Sequence, residues 1–146
     1  MRPVTEPIIL HVEASWSSPW VCAVHVVLRE KNVPFATSLA MLRKGVGAVD
    51  QMRDRTLTGT APVLQHGELW LAESLAIVEY LEEQFPEPRM LPADVRERAR
   101  ARQLMTWMRN DHDPLRRERP SERILYPSDA PLPPLSLGCE QCLIQN

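Results

Sequence analysis

The clearest pattern of hydrophobic and polar positions lies between residues 60 and 86. Two short apolar runs, residues 63–65 and 69–71, flank a polar turn centred on Gly67, which predicts a β-hairpin. The apolar spacing then becomes helical until Pro86 ends it, at Leu75, Val78, Leu81 and Phe85. This part of the chain is therefore predicted to form a strand, a tight turn, a second strand and a helix.

The first third of the chain has the pattern of a strand, a helix and another strand. Residues 8–13 are apolar and β-branched, which is typical of a buried strand. Ser18 followed by Pro19 is a helix-start signal, and apolar spacing continues the helix to about Lys31. Residues 35–39 predict the second strand. A unit of this length places its two strands side by side and parallel.

The segment between these two patterns is less regular. Residues 40–59 have mixed charge and weak periodicity, which predicts a loop and a short irregular helix. With that helix included, the predicted order is β-α-β-α-β-β-α, and the fold class is α/β. Prolines after residue 85 then indicate a linker, and Asp94 with Glu97 has the spacing of a capping box. The helix that begins there is predicted to end near Pro114.

After Arg119 the chain becomes rich in proline and shows no helical period. We therefore expect residues 120–146 to form a proline-rich tail that is poorly ordered. Its Cys139 and Cys142 form a Cys-x-x-Cys pair, but no second pair of metal ligands lies nearby in the sequence. We interpret them as incidental cysteines and expect no metal site in the chain.

Composition and charge narrow the classes of function. The net charge is −2 and the isoelectric point is near 6.1, which favours neither nucleic acid nor an anionic membrane as a partner. No apolar run approaches the ~20 residues that span a bilayer. Three cysteines are an odd number and do not predict a disulfide framework. We therefore expect a cytoplasmic protein.

Two places in the hairpin and helix unit carry chemistry. Pro62 opens a strand, where a cis peptide bond in a tight turn is one use of proline. Glu73 and Ser74 stand where the second strand gives way to the helix. The unpaired N–H groups of a helix start suit a carboxylate, and Glu73 beside them suits an ammonium. Together they suit the head group of an amino acid.

In its order and spacing, this part of the chain resembles the glutathione S-transferase family of the bacterial, serine type. The residues that carry the resemblance are Ala61, Pro62, Glu73, Ser74, Ala76, Ile77, Tyr80 and Leu81. The resemblance covers about residues 6–119. It implies a thioredoxin-like glutathione-binding domain over residues 1–86, followed by a linker and the first helix of a truncated all-α domain over residues 87–119.

The resemblance also implies roles for individual residues. Ala61 is expected to offer backbone hydrogen bonds to the cysteinyl part of glutathione, with the peptide bond of Pro62 in the cis form. Glu73 and Ser74 are expected to hold the γ-glutamyl head, although ordinary helix capping is the alternative for this pair. Glutathione would be the co-substrate, a small electrophile or peroxide the second substrate, and a homodimer the assembly.

Ser18 is the candidate for activating the thiol of glutathione. A thiol at a helix N-terminus has a lowered pKa, and a hydroxyl can donate a hydrogen bond to the thiolate. Ser17 is the near alternative, and Ser18 can also be a plain N-cap. The residues around Pro19 contain no Cys-x-x-Cys, which excludes dithiol exchange at this helix start. Cys22, one turn further on, is expected to face the interior.

The sequence is therefore compatible with two functions. The first is a glutathione-dependent transferase that stabilises the thiolate for attack on an electrophile, a peroxide or a disulfide. The second is a truncated or non-catalytic module of the same family that acts in protein association. The small number of helices after residue 86 favours the second, because in the family those helices build the pocket for the electrophile.

Overall fold

The computed structural model describes residues 6–40 and 54–145, which form two compact units. The first unit is Met1–Met90 and the second is Leu91–Asn146. Among the described residues, no helix combines the length and the apolar character that crossing a bilayer requires.

The first unit combines a four-stranded sheet with helices. Its elements are β1 (Ile8–Glu13), α1 (Pro19–Glu30), β2 (Ala36–Ala40), β3 (Val63–His66), β4 (Leu69–Ala72) and α2 (Ser74–Gln84). The strand order is β2-β1-β3-β4. β1 and β2 are parallel, whereas β3 runs antiparallel to both β1 and β4. The predicted parallel pair, the hairpin and the α/β class are confirmed.

The turn between β3 and β4 shows why the hairpin was readable from the sequence. Gly67 has a φ of +57°, in the left-handed region that glycine adopts without steric cost. A Cβ at this position would also collide with the side chain of Glu6. A loop and a short irregular helix were expected within residues 40–59. Residues 41–53, which make up most of that segment, lie outside the described residues.

The two faces of the sheet differ in chemistry. α1 and α2 pack against each other and against the sheet. Most of the buried side chains on this covered face are apolar, although His66 of β3 is also buried there. The apolar ones include Ile8, Leu10, Val12, Leu64, Val24, Leu28, Ile77 and Leu81. Alternation along the strands places His11, Glu13, Gln65 and Trp70 on the opposite face. Several polar and aromatic side chains therefore lie together on the face away from α1 and α2.

The second unit is helical, with α3 (Val95–Asn110), α4 (Asp113–Glu118), α5 (Glu122–Leu125) and α6 (Leu137–Gln145). Asp94 caps α3 as predicted, because its carboxylate accepts from the backbone N–H groups of Arg96 and Glu97. The segment after Arg119, in which the sequence shows no helical period, contains α5 and α6. The prolines lie before α6 rather than inside it, and the Ser136 hydroxyl caps its first turn at the N–H of Cys139.

Candidate functional site

Strand register brings the three segments singled out by the sequence to one end of the sheet. His11, Val63 and Ala72 form one row across β1, β3 and β4. The loop to α1 leaves β1 beyond this row, Pro62 enters β3 immediately before it, and Glu73 follows β4 immediately after it. The serine loop, the Ala61–Pro62 peptide and the start of α2 are therefore neighbours at this end of the sheet.

Ser18 is the N-cap of α1, and Pro19 is the first helical residue. The Ser18 hydroxyl accepts a hydrogen bond from the backbone N–H of Val21, with 3.4 Å between Oγ and N. The side chain is half-buried rather than enclosed. This arrangement satisfies one N–H of the helix start and leaves the hydroxyl at the positive end of the helix dipole.

Glu13, the last residue of β1, holds the loop that leads to this serine. Its Oε1 accepts from the backbone N–H of Ser18 at 2.6 Å, and its backbone carbonyl accepts from the N–H of Trp16 at 3.2 Å. Only 5% of the residue is exposed, and its Oε2 is buried without a hydrogen-bond partner. Glu13 is not among the residues predicted from the sequence, although a glutamate at the end of a mostly apolar strand was a signal.

Ser17 differs from Ser18 in its surroundings. It is buried, and its hydroxyl lies 2.8 Å from the hydroxyl of Ser15. Between them, Trp16 adopts a left-handed φ of 51°, and its ring packs edge-on against His25. Ser17 is therefore part of the internal structure of the loop, whereas Ser18 stands at the helix start.

The Ala61–Pro62 peptide bond is cis, as the resemblance implied. Pro62 is buried and immediately precedes β3, and Ala61 is half-buried. Because proline has no N–H, its place just outside the strand leaves the hydrogen-bond ladder of β3 intact. The backbone of Ala61 lies at the end of the sheet where the serine loop and Glu73 also lie.

Glu73 joins β4 to α2 in an unusual backbone conformation. It is the N-cap residue of α2, with φ 71° and ψ 106°, and its side chain does not cap the helix. A left-handed φ costs a non-glycine residue about 1–3 kcal/mol, and residues held this way are concentrated at functional sites. The next residue, Ser74, is 2% exposed. Ordinary side-chain capping therefore does not account for Glu73.

A pocket of about 450 Å³ opens beside Glu73. It is lined by the chain before β3, by β4 and by the start of α2, with Asp54, Arg55, Thr56, Leu57, Trp70, Leu71, Ala72, Glu73 and Ala76. Three of these side chains are charged: Arg55 is positive, whereas Asp54 and Glu73 are negative. Neither Arg55 nor Trp70 belongs to the motif that carries the resemblance, so the sequence predicted no role for them.

The pocket wall continues into a stack of side chains on the sheet face. The Arg55 guanidinium lies 4.9 Å from the centre of the Trp70 ring, and that ring stacks on His11 at 4.9 Å. The His11 Nε2 donates to Gln65 Oε1 at 3.3 Å, and its Nδ1 is buried without a partner. Burial lowers the pKa of His11, and the hydrogen bond to Gln65 partly opposes this shift.

The three cysteines differ in their surroundings. Cys22 is exposed, so the prediction that it faces the interior is wrong; the buried stripe of α1 is Val21, Val24 and Leu28. Cys139 in α6 is buried, and burial raises the pKa of its thiol, with Glu118 as the next cause. Within the described ranges, no three histidine, cysteine or acidic side chains are grouped so that they could hold a metal ion.

Comparison with known proteins identifies the family. The profile of the glutathione S-transferase N-terminal domain matches residues 14–89. Glutathione S-transferase 1 of Dianthus caryophyllus is 36% identical over 92 residues, which are 63% of this chain and 42% of that protein. Maleylpyruvate isomerase of a Ralstonia species is 33% identical over 104 residues, 71% of this chain and 49% of that protein. The chain thus spans about half the length of the curated relatives it matches.

Solved structures agree with the sequence relatives. A glutathione transferase homologue from Burkholderia, solved with bound glutathione, is 34% identical and superposes with a TM-score of 0.69 over 97% of this chain and 66% of its own. A bacterial maleylpyruvate isomerase of the zeta class is 31% identical with a TM-score of 0.64 over 83% of this chain and 57% of its own. The chain belongs to the glutathione S-transferase family, whose N-terminal domain is matched by residues 14–89.

Proposed function

We propose that the first unit binds glutathione and stabilises its thiolate for attack on an electrophile, a peroxide or a disulfide. The observation that carries the proposal is the meeting of the serine loop, the Ala61–Pro62 peptide and Glu73 at one end of the sheet. The Burkholderia homologue with bound glutathione supports the choice of ligand. Ala61 would contact the cysteinyl part of glutathione through its backbone.

The γ-glutamyl head of glutathione carries an ammonium and a carboxylate on one carbon. Glu73 would bind the ammonium, and the N–H groups at the start of α2, beginning at Ser74, would bind the carboxylate. Arg55 lines the same pocket as Glu73 and supplies a second positive charge for the carboxylate. The left-handed φ of Glu73 supports this assignment, since the conformation is costly and the side chain does not cap the helix.

The thiol of the bound glutathione would lie at the start of α1. There the Ser18 hydroxyl would donate a hydrogen bond to the thiolate, and the helix dipole would favour the negative charge. With a chlorinated aromatic substrate, the thiolate sulfur forms a bond to carbon and chloride leaves. Ser18 would stabilise the nucleophile without becoming covalently linked to the substrate.

Calorimetric titration tests the binding. We expect the unmodified chain to bind glutathione in the millimolar range. Glu73→Ala should weaken binding at least tenfold, since a charge-assisted hydrogen bond contributes about 1.5–3 kcal/mol. Glu68→Ala is the matched control, because Glu68 is an exposed glutamate in the neighbouring hairpin turn. No heat from the unmodified chain at high glutathione, or equal binding by Glu73→Ala, would contradict the proposal.

Turnover of a chlorinated aromatic tests the chemical step separately. Ser18→Ala should reduce turnover strongly while glutathione binding changes little, because the head group is held elsewhere. We expect the turnover of the unmodified chain to be low. The proposed residues hold glutathione but not the electrophile, and proximity of the two reactants is a large part of the rate. Turnover that is unaffected by Ser18→Ala would remove Ser18 from the proposal.

A second candidate function, a non-catalytic module for association, has an observation in its favour. On α3, Leu104 is 58% exposed and Met108 is 56% exposed, and exposed apolar surface favours association. Association as a homodimer is part of both candidates, and three cysteines that form no disulfide favour a reducing cytoplasm for either. Light scattering that shows only monomer would contradict association, and glutathione-dependent turnover would favour the transferase over the module.

A further inference from the structure

We propose that Glu13 is the positioning residue for the thiol-activating serine. Its carboxyl group fixes the loop of residues 14–18 and so determines where the Ser18 hydroxyl lies relative to the glutathione thiol. This inference rests on the proposed function. Glu13 lies outside the motif that carries the resemblance, and its buried carboxyl group would hold the loop in place.

Glu13 accepts two hydrogen bonds from the loop. Its side-chain Oε1 accepts from the N–H of Ser18 at 2.6 Å, which is short for an N–H···O bond and typical of a charge-assisted one. Its backbone carbonyl accepts from the N–H of Trp16 at 3.2 Å. One residue therefore ties both the middle and the end of the loop to the last position of β1.

The burial of this carboxyl group needs a reason. Glu13 is 5% exposed, and its Oε2 is buried without a hydrogen-bond partner. Burying an acidic group with one oxygen unpaired is costly, and an apolar side chain would fill the position without that cost. Val63, on the same face of the sheet in the neighbouring strand β3, is buried and apolar, which shows that this face accommodates apolar side chains near this end. The hydrogen bond to Ser18 is what an apolar residue could not provide.

The position of Ser18 matters because its hydroxyl must reach the thiolate. Ser18 is the N-cap of α1, so a shift of its backbone displaces both the hydroxyl and the first N–H groups of the helix. A misplacement of about 1 Å can cost about a hundredfold in rate. Fixing the Ser18 N–H therefore protects the geometry on which the thiol pKa depends.

The pKa of the thiol of protein-bound glutathione, followed by its thiolate absorbance against pH, tests this role. Glu13→Leu should raise the pKa of the bound thiol by about one unit, which lowers the thiolate fraction about tenfold at neutral pH. Glutathione affinity should change less than about threefold, because the head group is bound at Glu73. Glu13→Gln should keep the thiol pKa of the unmodified chain, since an amide oxygen can accept the same N–H.

His11→Phe is the control on the same strand and the same face. His11 is similarly buried, but its side chain bonds to Gln65 rather than to the loop, so this substitution should leave the thiol pKa unchanged. If Glu13→Leu does not fold, Glu13→Met takes its place. Methionine is similar in length to glutamate and carries no strong hydrogen-bond acceptor. An unchanged thiol pKa in the variant without an acceptor would overturn the role of Glu13.

Amide hydrogen exchange in the absence of glutathione separates this inference from the proposed function. The Ser18 amide should exchange about tenfold faster in Glu13→Leu than in the unmodified chain, and at the unmodified rate in Glu13→Gln. Equal exchange in all three proteins would overturn the positioning role even if glutathione binds. If the Ser18 amide exchanges slowly but the chain binds no glutathione, the proposed function is overturned. No effect of Glu13 on a bound thiol would then remain.

Discussion

Lys31 and Glu82 form an ion pair in which no part of the lysine side chain is exposed. The Lys31 Nζ lies 2.7 Å from Glu82 Oε2 and also donates to the backbone carbonyls of Phe85 at 2.7 Å and Pro88 at 2.9 Å. All three N–H groups of the ammonium are therefore used. The Glu82 carboxylate accepts in addition from the N–H of Met90 at 3.1 Å. The end of α1 is thus fastened to the chain that follows α2.

Removing this lysine should destabilise the first unit. Lys31→Met leaves the buried carbonyl of Phe85 and the partly buried carbonyl of Pro88 without their donor and Glu82 without its counter-charge, and breaking such a pair costs about 3–5 kcal/mol. Urea unfolding should show a lowered free energy of unfolding at an unchanged m-value. Arg29→Met, which changes an exposed cation in the same helix turn, should stay within about 0.5 kcal/mol of the unmodified chain. Equal losses in both variants would contradict a special role for Lys31.

The lowered pKa of His11 predicts a dependence of stability on pH. Because burial favours the neutral ring, the unfolded chain binds more protons than the folded chain in mild acid. The free energy of unfolding should therefore be retained above the pKa of unfolded histidine. It should fall as the pH decreases through that value towards the lower pKa of the folded state.

His11→Phe removes this titration and keeps an aromatic ring for the stack on Trp70. Unfolding measured at steps from about pH 7.5 to pH 5 should give a smaller loss of stability in the variant than in the unmodified chain. Protonation of His11 would also place a second N–H at the buried Nδ1, which has no acceptor. Parallel stability curves for the two proteins would contradict the lowered pKa.

The three thiols should react with iodoacetamide in the order of their exposure. Cys22 is exposed, Cys142 is half-buried, and Cys139 is buried with its thiol pKa raised by that burial. Since the thiolate is the reacting form, Cys139 should be modified last. Peptide mass spectrometry after timed alkylation measures the order, and in denaturant the three rates should converge. Early modification of Cys139 in the folded chain would contradict its placement inside the second unit.

The elements that the sequence predicted well have signals within a few residues of one another. The Ser18–Pro19 start of α1, the Gly67 turn and the Asp94 cap are local, and each is confirmed at its predicted place. Register then brings the serine loop, Pro62 and Glu73 to the same end of the sheet, because β3 pairs with both β1 and β4.

The features that the sequence did not predict depend on contacts between distant residues. Lys31 occupies a helix end, where a lysine is usually solvated, and its burial follows from partners more than fifty residues away. The stack of Arg55 on Trp70 likewise needs the register of β4. Glu13 was overlooked for a different reason: its partner is close in sequence, but only a loop folded back on the strand end reveals the contact.

Alanine variants of the two candidate serines, Ser18 and Ser17, should differ in the pKa of the bound thiol and in stability. Ser18→Ala removes the N-cap of α1 and should cost about 0.5–2 kcal/mol of stability while raising the pKa of the bound thiol. Ser17→Ala removes the hydroxyl that lies beside Ser15 and should leave the thiol pKa unchanged. Thiolate absorbance against pH and thermal unfolding together give both readouts. A raised thiol pKa in Ser17→Ala alone would assign the activating role to Ser17.

The backbone of Glu73 should make stability and binding respond differently to two substitutions. With a φ of 71°, Glu73 lies in a region that glycine reaches without steric cost and alanine does not. We therefore expect Glu73→Gly to be more stable than Glu73→Ala by about 1 kcal/mol, even though glycine gains freedom in the unfolded chain. Both variants should lose glutathione binding equally, because neither carries a carboxylate.

Glu68 provides the matched pair of controls, since it lies in the nearby turn and does not share the left-handed φ. There the order should reverse, and Glu68→Gly should be less stable than Glu68→Ala because only the entropy of the unfolded chain differs. A Glu73→Gly variant that is less stable than Glu73→Ala would show that no strain is stored at this position. The expected result would mean that the chain keeps a strained glutamate where glycine would be more stable, and that the carboxylate at this helix start is retained for the ligand it binds.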